Sequence, residues 1–178
     1  MANTITLNFS DFFPYDNDTS SLDFSKDPGS EILSKDNGGI YIAVTYIDRE
    51  GLIVPQKLLY VGKAQSSSNN LKKRMEEHGK VSEGKAFKDH TIWLNKLGLK
   101  ADSPIAYSFA VLNDLDKILD IENKLIYKNQ PIGNEEGKSV DLSSDKCPYI
   151  ECKLPQEYEE NINLIGYSTL DKFLDKKI

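Results

Sequence analysis

Apolar and polar positions along this chain fall into blocks of different period. Residues 1–36 are polar and turn-rich, with stretches such as PYDNDTSS and SKDPGS, and carry Phe9, Phe12, Phe13 and Phe24 as aromatics able to pack on a core. They read as a loosely structured lead-in with one short helix over SEILSK. The pattern then changes at NGGIYIAVTY, Asn37 to Tyr46, a run of β-branched and aromatic residues entered through two glycines, which predicts a buried strand. The turn signal DREG follows, and LIVPQKLLYVG returns as the partner strand, interrupted at Pro55, where the ladder must bulge or end. A turn centred on Glu50-Gly51 sets Tyr41 and Tyr60 opposite each other, give or take a bulge, so the two rings are cross-strand neighbours.

Period 3.6 takes over after the hairpin. NNLKKRMEEHG predicts a helix capped by Asn69 or Asn70 and ended by Gly79; Arg74 and His78, at i and i+4, share a face. KAFKDHTIWLNKLG predicts a second, with Phe87, His90 or Thr91, Leu94 and Leu97 on one side and Gly98 as its stop. PIAYSFAVL alternates through Ile105, Tyr107, Phe109 and Val111 and predicts a strand. The clearest helix is NDLDKILDIENKLIYKNQP, capped by Asn113 or Asp114, with Leu115, Ile118, Leu119, Leu125 and Ile126 as its apolar stripe. An irregular segment, CPYIECKLPQEYEE, precedes a last candidate helix, STLDKFLDK. Hairpin, helices, strand and helix in that order predict an α+β domain: a small, mostly antiparallel β-sheet flanked by α-helices.

Composition narrows this only slightly. A chain of 178 residues is one domain with decorations, long enough to bury a core. No apolar run reaches the roughly 18 residues of a membrane span, and the start has no signal-peptide pattern, so the expectation is a cytoplasmic protein that does not engage a membrane. Cys147 and Cys152 fit no zinc spacing and read as reduced thiols. Charge changes the picture more. The net charge is −6, yet residues 57–100 hold ten basic residues against four acidic ones, while residues 1–37 hold seven acids and two lysines. A basic centre between acidic ends can point at phosphate; on charge alone, a solvated charged surface is the better explanation.

One residue breaks its own pattern. Glu122 sits mid-stripe on the last clear helix, where the period demands an apolar side chain. A buried carboxylate is costly unless paired. It reaches the stripe edge, pairs with a cation such as Arg74, or holds a hard divalent ion such as Mg²⁺ or Mn²⁺, which keeps waters and takes phosphate oxygens. Taken singly, Tyr41 and Tyr60 are ordinary core aromatics, Arg74 a surface helix residue, His78 a C-terminal cation favoured by the helix dipole, and Asn134 a turn residue beside Gly133.

Taken together they form an ordered set. GIY at 39–41, YVG at 60–62, the Arg-x-x-x-His helix, Glu122 in IENKLIY and Asn134 in PIGN resemble the signature of the GIY-YIG nuclease superfamily over residues 38–134. Val61 stands where the family name has Ile, and the interval between the tyrosines exceeds the commonest family spacing, which extends the hairpin tip. The resemblance implies metal-dependent hydrolysis of DNA phosphodiester bonds. Glu122 would be the ligand of Mg²⁺ or Mn²⁺, Tyr41 and Tyr60 the active-site phenols, Arg74 the contact to the scissile phosphate, His78 an aid to proton removal and Asn134 a support. The chemistry needs such groups: neutralised charge at the phosphate, a planar fork matching two oxygens, and a base. Ionising a free tyrosine at pH 7 costs about 4 kcal/mol, whereas histidine titrates near neutrality; Tyr41, Tyr60 and His78 all stay open as proton acceptor.

The expectation is therefore a polar N-terminal extension at 1–36, a GIY-YIG nuclease-like domain at 37–134 and a C-terminal extension packing on it at 135–178. Lys63, Lys72 and Lys73 would hold the DNA backbone. Both extensions are short for a separate DNA-reading domain, so a small restriction-type endonuclease fits, with a homodimer able to cut two strands; a repair or mobile-element nuclease fits nearly as well. The alternative from another class is a catalytically silent nucleic-acid-binding or protein-interaction module on the same fold.

Overall fold

The computed structural model describes residues 4–16, 21–22, 37–65, 70–71, 73–74, 85–112, 114–135 and 149–155. Its strands are β1 (Thr4–Asn8), β2 (Phe13–Asp16), β3 (Ser21–Leu22), β4 (Gly39–Arg49), β5 (Leu52–Ala64), β6 (Ile105–Val111) and β7 (Tyr149–Lys153). Its helices are α1 (Lys85–Lys96) and α2 (Ile118–Asn129), the latter preceded by a 3-10 turn at Leu115–Lys117. The class is α+β. Strands β2, β6, β4 and β5 lie side by side in that order, every pairing antiparallel, and β3 continues the sheet on β2.

The β4–β5 hairpin dominates this sheet because both strands are long and rich in β-branched and aromatic residues. Its turn is centred as the sequence predicts: Glu50 and Gly51 take positive φ, 55° and 85°, and Asp48 Oδ1 accepts the Gly51 N–H. Two register shifts, between Ala43 and Val44 and between Thr45 and Tyr46, then insert extra residues in β5. Tyr41 therefore lies opposite Gly62, and Tyr60 opposite Ala43. The two tyrosines are diagonal neighbours on one face rather than a directly opposed pair.

Apolar side chains cover both faces of the sheet. On one, Ile40, Ile42, Val44, Leu58 and Val61 pack against Ile118, Ile121, Leu125 and Ile126 of α2. On the other, Tyr41, Ala43, Leu59, Tyr107 and Phe109 pack against Trp93 and Leu94 of α1. The double coverage is why β6, expected to alternate, is buried at every position from Ile105 to Ala110. The α2 stripe runs through Ile118, Ile121, Glu122, Leu125 and Ile126; Leu119, expected on it, is 46% exposed. Asp114 caps the 3-10 turn through the Asp116 N–H rather than the α-helix itself.

The ends of the chain depart most from expectation. Instead of a loose lead-in, β2 joins the main sheet against β6 and β1 pairs in parallel with β7; β7 lies within the segment read as irregular. Between β1 and β2, Ser10 and Ser108 stitch the connector to β6: Ser108 Oγ donates to Ser10 O, and Ser10 Oγ accepts the Phe109 N–H. The helices read over SEILSK and STLDKFLDK lie outside the described residues, as do Lys72, His78 and Cys147. Among the described residues no helix is long and apolar enough to cross a membrane.

Candidate active site

Two glycines explain how the phenols reach one place. A Cβ on Gly62 would fall on the Tyr41 ring, which lies across the glycine opposite it. A Cβ on Gly39 would strike the Ala110 carbonyl of β6 and crowd Leu71. Both motifs thus need glycine for close approach rather than for backbone freedom. With Gly62 bare, Tyr41 sinks to 3% exposure and hydrogen-bonds Tyr60 hydroxyl to hydroxyl, the ring centroids 6.0 Å apart. Burial pushes the Tyr41 phenol well above its ordinary value; Tyr60 and Glu122 add to this and Arg74 opposes it. At neutral pH Tyr41 is therefore a neutral phenol, and ionising it costs more than for a free tyrosine.

The same influences on Tyr41 show that Arg74 and Glu122 lie within electrostatic reach of its hydroxyl. Arg74 arrives on a helical turn beginning at Leu71. Asn70 caps that turn, its Oδ1 accepting the Lys73 N–H at 2.9 Å, which satisfies a donor the helix start leaves open. Leu71 N–H bonds Asn37 O and so ties the turn to the start of β4. Lys73 is exposed on the same turn.

Glu122 comes from the opposite face. By alternation Lys63 shares the α2 face with Val61, and there its ammonium makes an ion pair with Glu122 Oε2. The partners are 24% and 10% exposed at the side chain, so the pair offsets most of the cost of burying the carboxylate. The pairing alternative for Glu122 is realised with Lys63, not with Arg74. The candidate site thus straddles edge strand β5, with Tyr41 and Tyr60 on one face and Lys63 and Glu122 on the other.

Asn134 holds that strand. Its Oδ1 accepts the Val61 N–H at 2.9 Å, and its Nδ2 donates to Val61 O at 2.7 Å. Val61 lies between Tyr60 and Gly62, and an edge strand has no neighbour to take these two groups. The side-chain amide replaces one rung of a missing strand. Next to it, the Gly133 N–H bonds Leu59 O at 2.7 Å.

Trp93 is a participant that the sequence pattern did not single out. It stacks on Tyr60 with centroids 4.9 Å apart and planes 8° off parallel. Its only signal in the sequence is a lone tryptophan, three residues past His90 on the helix expected to pack here. His90, read as structural for want of a partner, has one: its Nε2 hydrogen-bonds the Tyr107 hydroxyl in the core.

Among the described residues no group of three or more His, Cys, Asp or Glu gathers, which leaves a four-ligand protein cage without donors. A single buried carboxylate within electrostatic reach of a phenol still fits a hard divalent ion that takes its other ligands from water and phosphate. No protein-family model, curated protein or solved structure matches the chain.

Proposed function

We propose that this protein is a metal-dependent DNA endonuclease of the GIY-YIG type. The observation that supports this best is spatial. Tyr41, Tyr60, Arg74 and Glu122 are drawn from two strands, a capped turn and a distant helix, yet Tyr60, Arg74 and Glu122 all lie close enough to act on the Tyr41 phenol, and glycines clear the way for the phenols. A core built only for stability has no need of a carboxylate in its helix stripe.

In this reading each group has a task. A Mg²⁺ or Mn²⁺ ion, when bound, would supply positive charge at the scissile phosphate. Glu122 is the residue that would hold it, and Lys63 keeps that carboxylate neutralised beforehand. Arg74 forks onto two phosphate oxygens. Tyr41 stays protonated and orients Tyr60 through the shared hydrogen bond. The proton of the attacking water then goes to Tyr60, which must first have released its own proton to solvent, or to a neutral His78 imidazole, four residues after Arg74 in the sequence. Lys72 and Lys73 hold the backbone of the DNA. A cytoplasmic enzyme acting as a homodimer, of restriction type, belongs to the same reading.

The rival, a silent nucleic-acid-binding or protein-interaction module, draws on one observation: Lys63 already satisfies Glu122. Cleavage of supercoiled plasmid separates the two. With Mg²⁺ or Mn²⁺ the wild type should cut, chelator should stop it, and Glu122→Ala should lose roughly 100-fold or more in rate with DNA binding largely retained. A wild type that binds plasmid and branched DNA but cuts neither in either metal leaves the module as the better account.

A further inference from the structure

We propose that Trp93 is a positioning residue for the phenol pair, fixing the plane in which Tyr60 presents its hydroxyl. This rests on the nuclease reading and extends it to a residue outside the signature motifs. Tyr60 is half-buried on an edge strand, one residue beyond Leu59 at a register shift, and neither feature restrains its ring. The restraint comes from the near-parallel indole at 4.9 Å.

For Trp93 to set the angle of Tyr60, it must itself be unable to follow. Three contacts hold it. It is buried in the core on the α1 face. Its indole edge lies against Gly133 so closely that a Cβ there would meet Nε1 at 2.7 Å and Cε2 at 2.8 Å. The Gly133 N–H in turn bonds Leu59 O, the residue before Tyr60, so the wall behind the indole is tied to the strand that carries the phenol. The His90 ring also lies 5.4 Å away, anchored through Nε2 to the Tyr107 hydroxyl. In the orientation this stack holds, Tyr60 hydrogen-bonds Tyr41.

The test compares Trp93→Leu and Trp93→Phe in two readouts. In plasmid cleavage, an aromatic stack of ordinary strength is worth about three- to tenfold in rate when it aligns a reacting group. Trp93→Leu should lose that much in kcat with KM for the DNA unchanged, and Trp93→Phe, which keeps a flat ring, should recover most of it. In proton NMR with labelled tyrosine, the Tyr60 ring, identified with Tyr60→Phe, should be shifted upfield by the indole in the wild type and return downfield in Trp93→Leu. Unchanged kcat in Trp93→Leu, a loss confined to KM, or no rescue by Trp93→Phe overturns the proposal. An unshifted Tyr60 ring in a protein that cuts overturns it while sparing the nuclease reading. A shifted ring in a protein that cuts nothing overturns the nuclease reading and the positioning role with it.

Discussion

Asn134 offers the sharpest prediction, because its geometry separates a structural role from a chemical one. Both ends of its amide are spent on the backbone of Val61, a residue 1% exposed on the edge strand between Tyr60 and Gly62. Asn134→Ala leaves one buried N–H and one buried C=O with no protein partner. Each such group costs about 1–3 kcal/mol. Water entering from the strand edge recovers part of this, so the expected loss is about 3 kcal/mol. In a domain of this size that lowers Tm by roughly 6–12 °C and removes a large fraction of a stability of about 5–15 kcal/mol. Asn134→Asp is a second probe. It keeps an acceptor for the Val61 N–H but sets a carboxylate against the Val61 carbonyl, and should be no more stable than the alanine variant. Urea unfolding with unchanged m-value is the assay. A loss below about 1 kcal/mol would refute the clamp, and a fully stable Asn134→Ala that has lost cleavage would move the residue to the phosphate.

Other outcomes follow from the same contacts. Gly62→Ala drives a methyl into the Tyr41 ring and should cost about 1–3 kcal/mol in urea unfolding, with cleavage falling further than stability. Lys63→Met removes the ammonium from Glu122 and should tighten Mn²⁺ binding, read by electron paramagnetic resonance; weaker binding would show that Lys63 helps the ion rather than competing with it. Burial pushes the Cys152 thiol up to about 12 from an ordinary 9.0. Its folded value is raised, so the stability it contributes is fully present below about pH 9 and is lost as pH rises towards 12. In a Cys147→Ser background Cys152 should resist a thiol reagent at pH 8, and fast labelling of folded protein would contradict this.

The sequence carries the local parts of this molecule well. Turn chemistry at Glu50-Gly51, β-branched runs in β4 and β5, and Gly98 after α1 each act on neighbouring residues, and each element stands where it was expected. Glu122 is legible for the same reason, since one charged position in a helical stripe is a local contradiction. What stays hidden depends on distant partners. The two β5 register shifts answer to packing on β4, so Tyr41 meets Gly62 rather than Tyr60. Strand β1 is a short run whose parallel partner β7 lies at the far end of the chain, and no periodicity near residue 5 announces residue 150. Lys63 gives no sign that it turns inward to Glu122 instead of outward to a ligand.

These hidden partners bear on what the acidic ends are for. A flanking segment that merely decorates a domain can be trimmed without touching its centre. Here β2 hydrogen-bonds β6, and β6 pairs with β4 along seven residues that include Tyr41 opposite Phe109. Phe13 of β2 stacks on that same Phe109, centroids 5.2 Å apart. Tyr15 of β2 meets the His90 ring edge-on at 4.6 Å, and His90 leads through Trp93 to Tyr60. The N-terminal residues are thus three ring contacts from the phenol on the far edge of the sheet. Deleting residues 1–16 would remove the partner of β7 and one of the two partners of β6, and strip the Tyr15 ring from His90 of α1. Such a truncation should lose folding cooperativity along with any activity, whereas a true appendage would leave the urea transition of the remaining chain sharp.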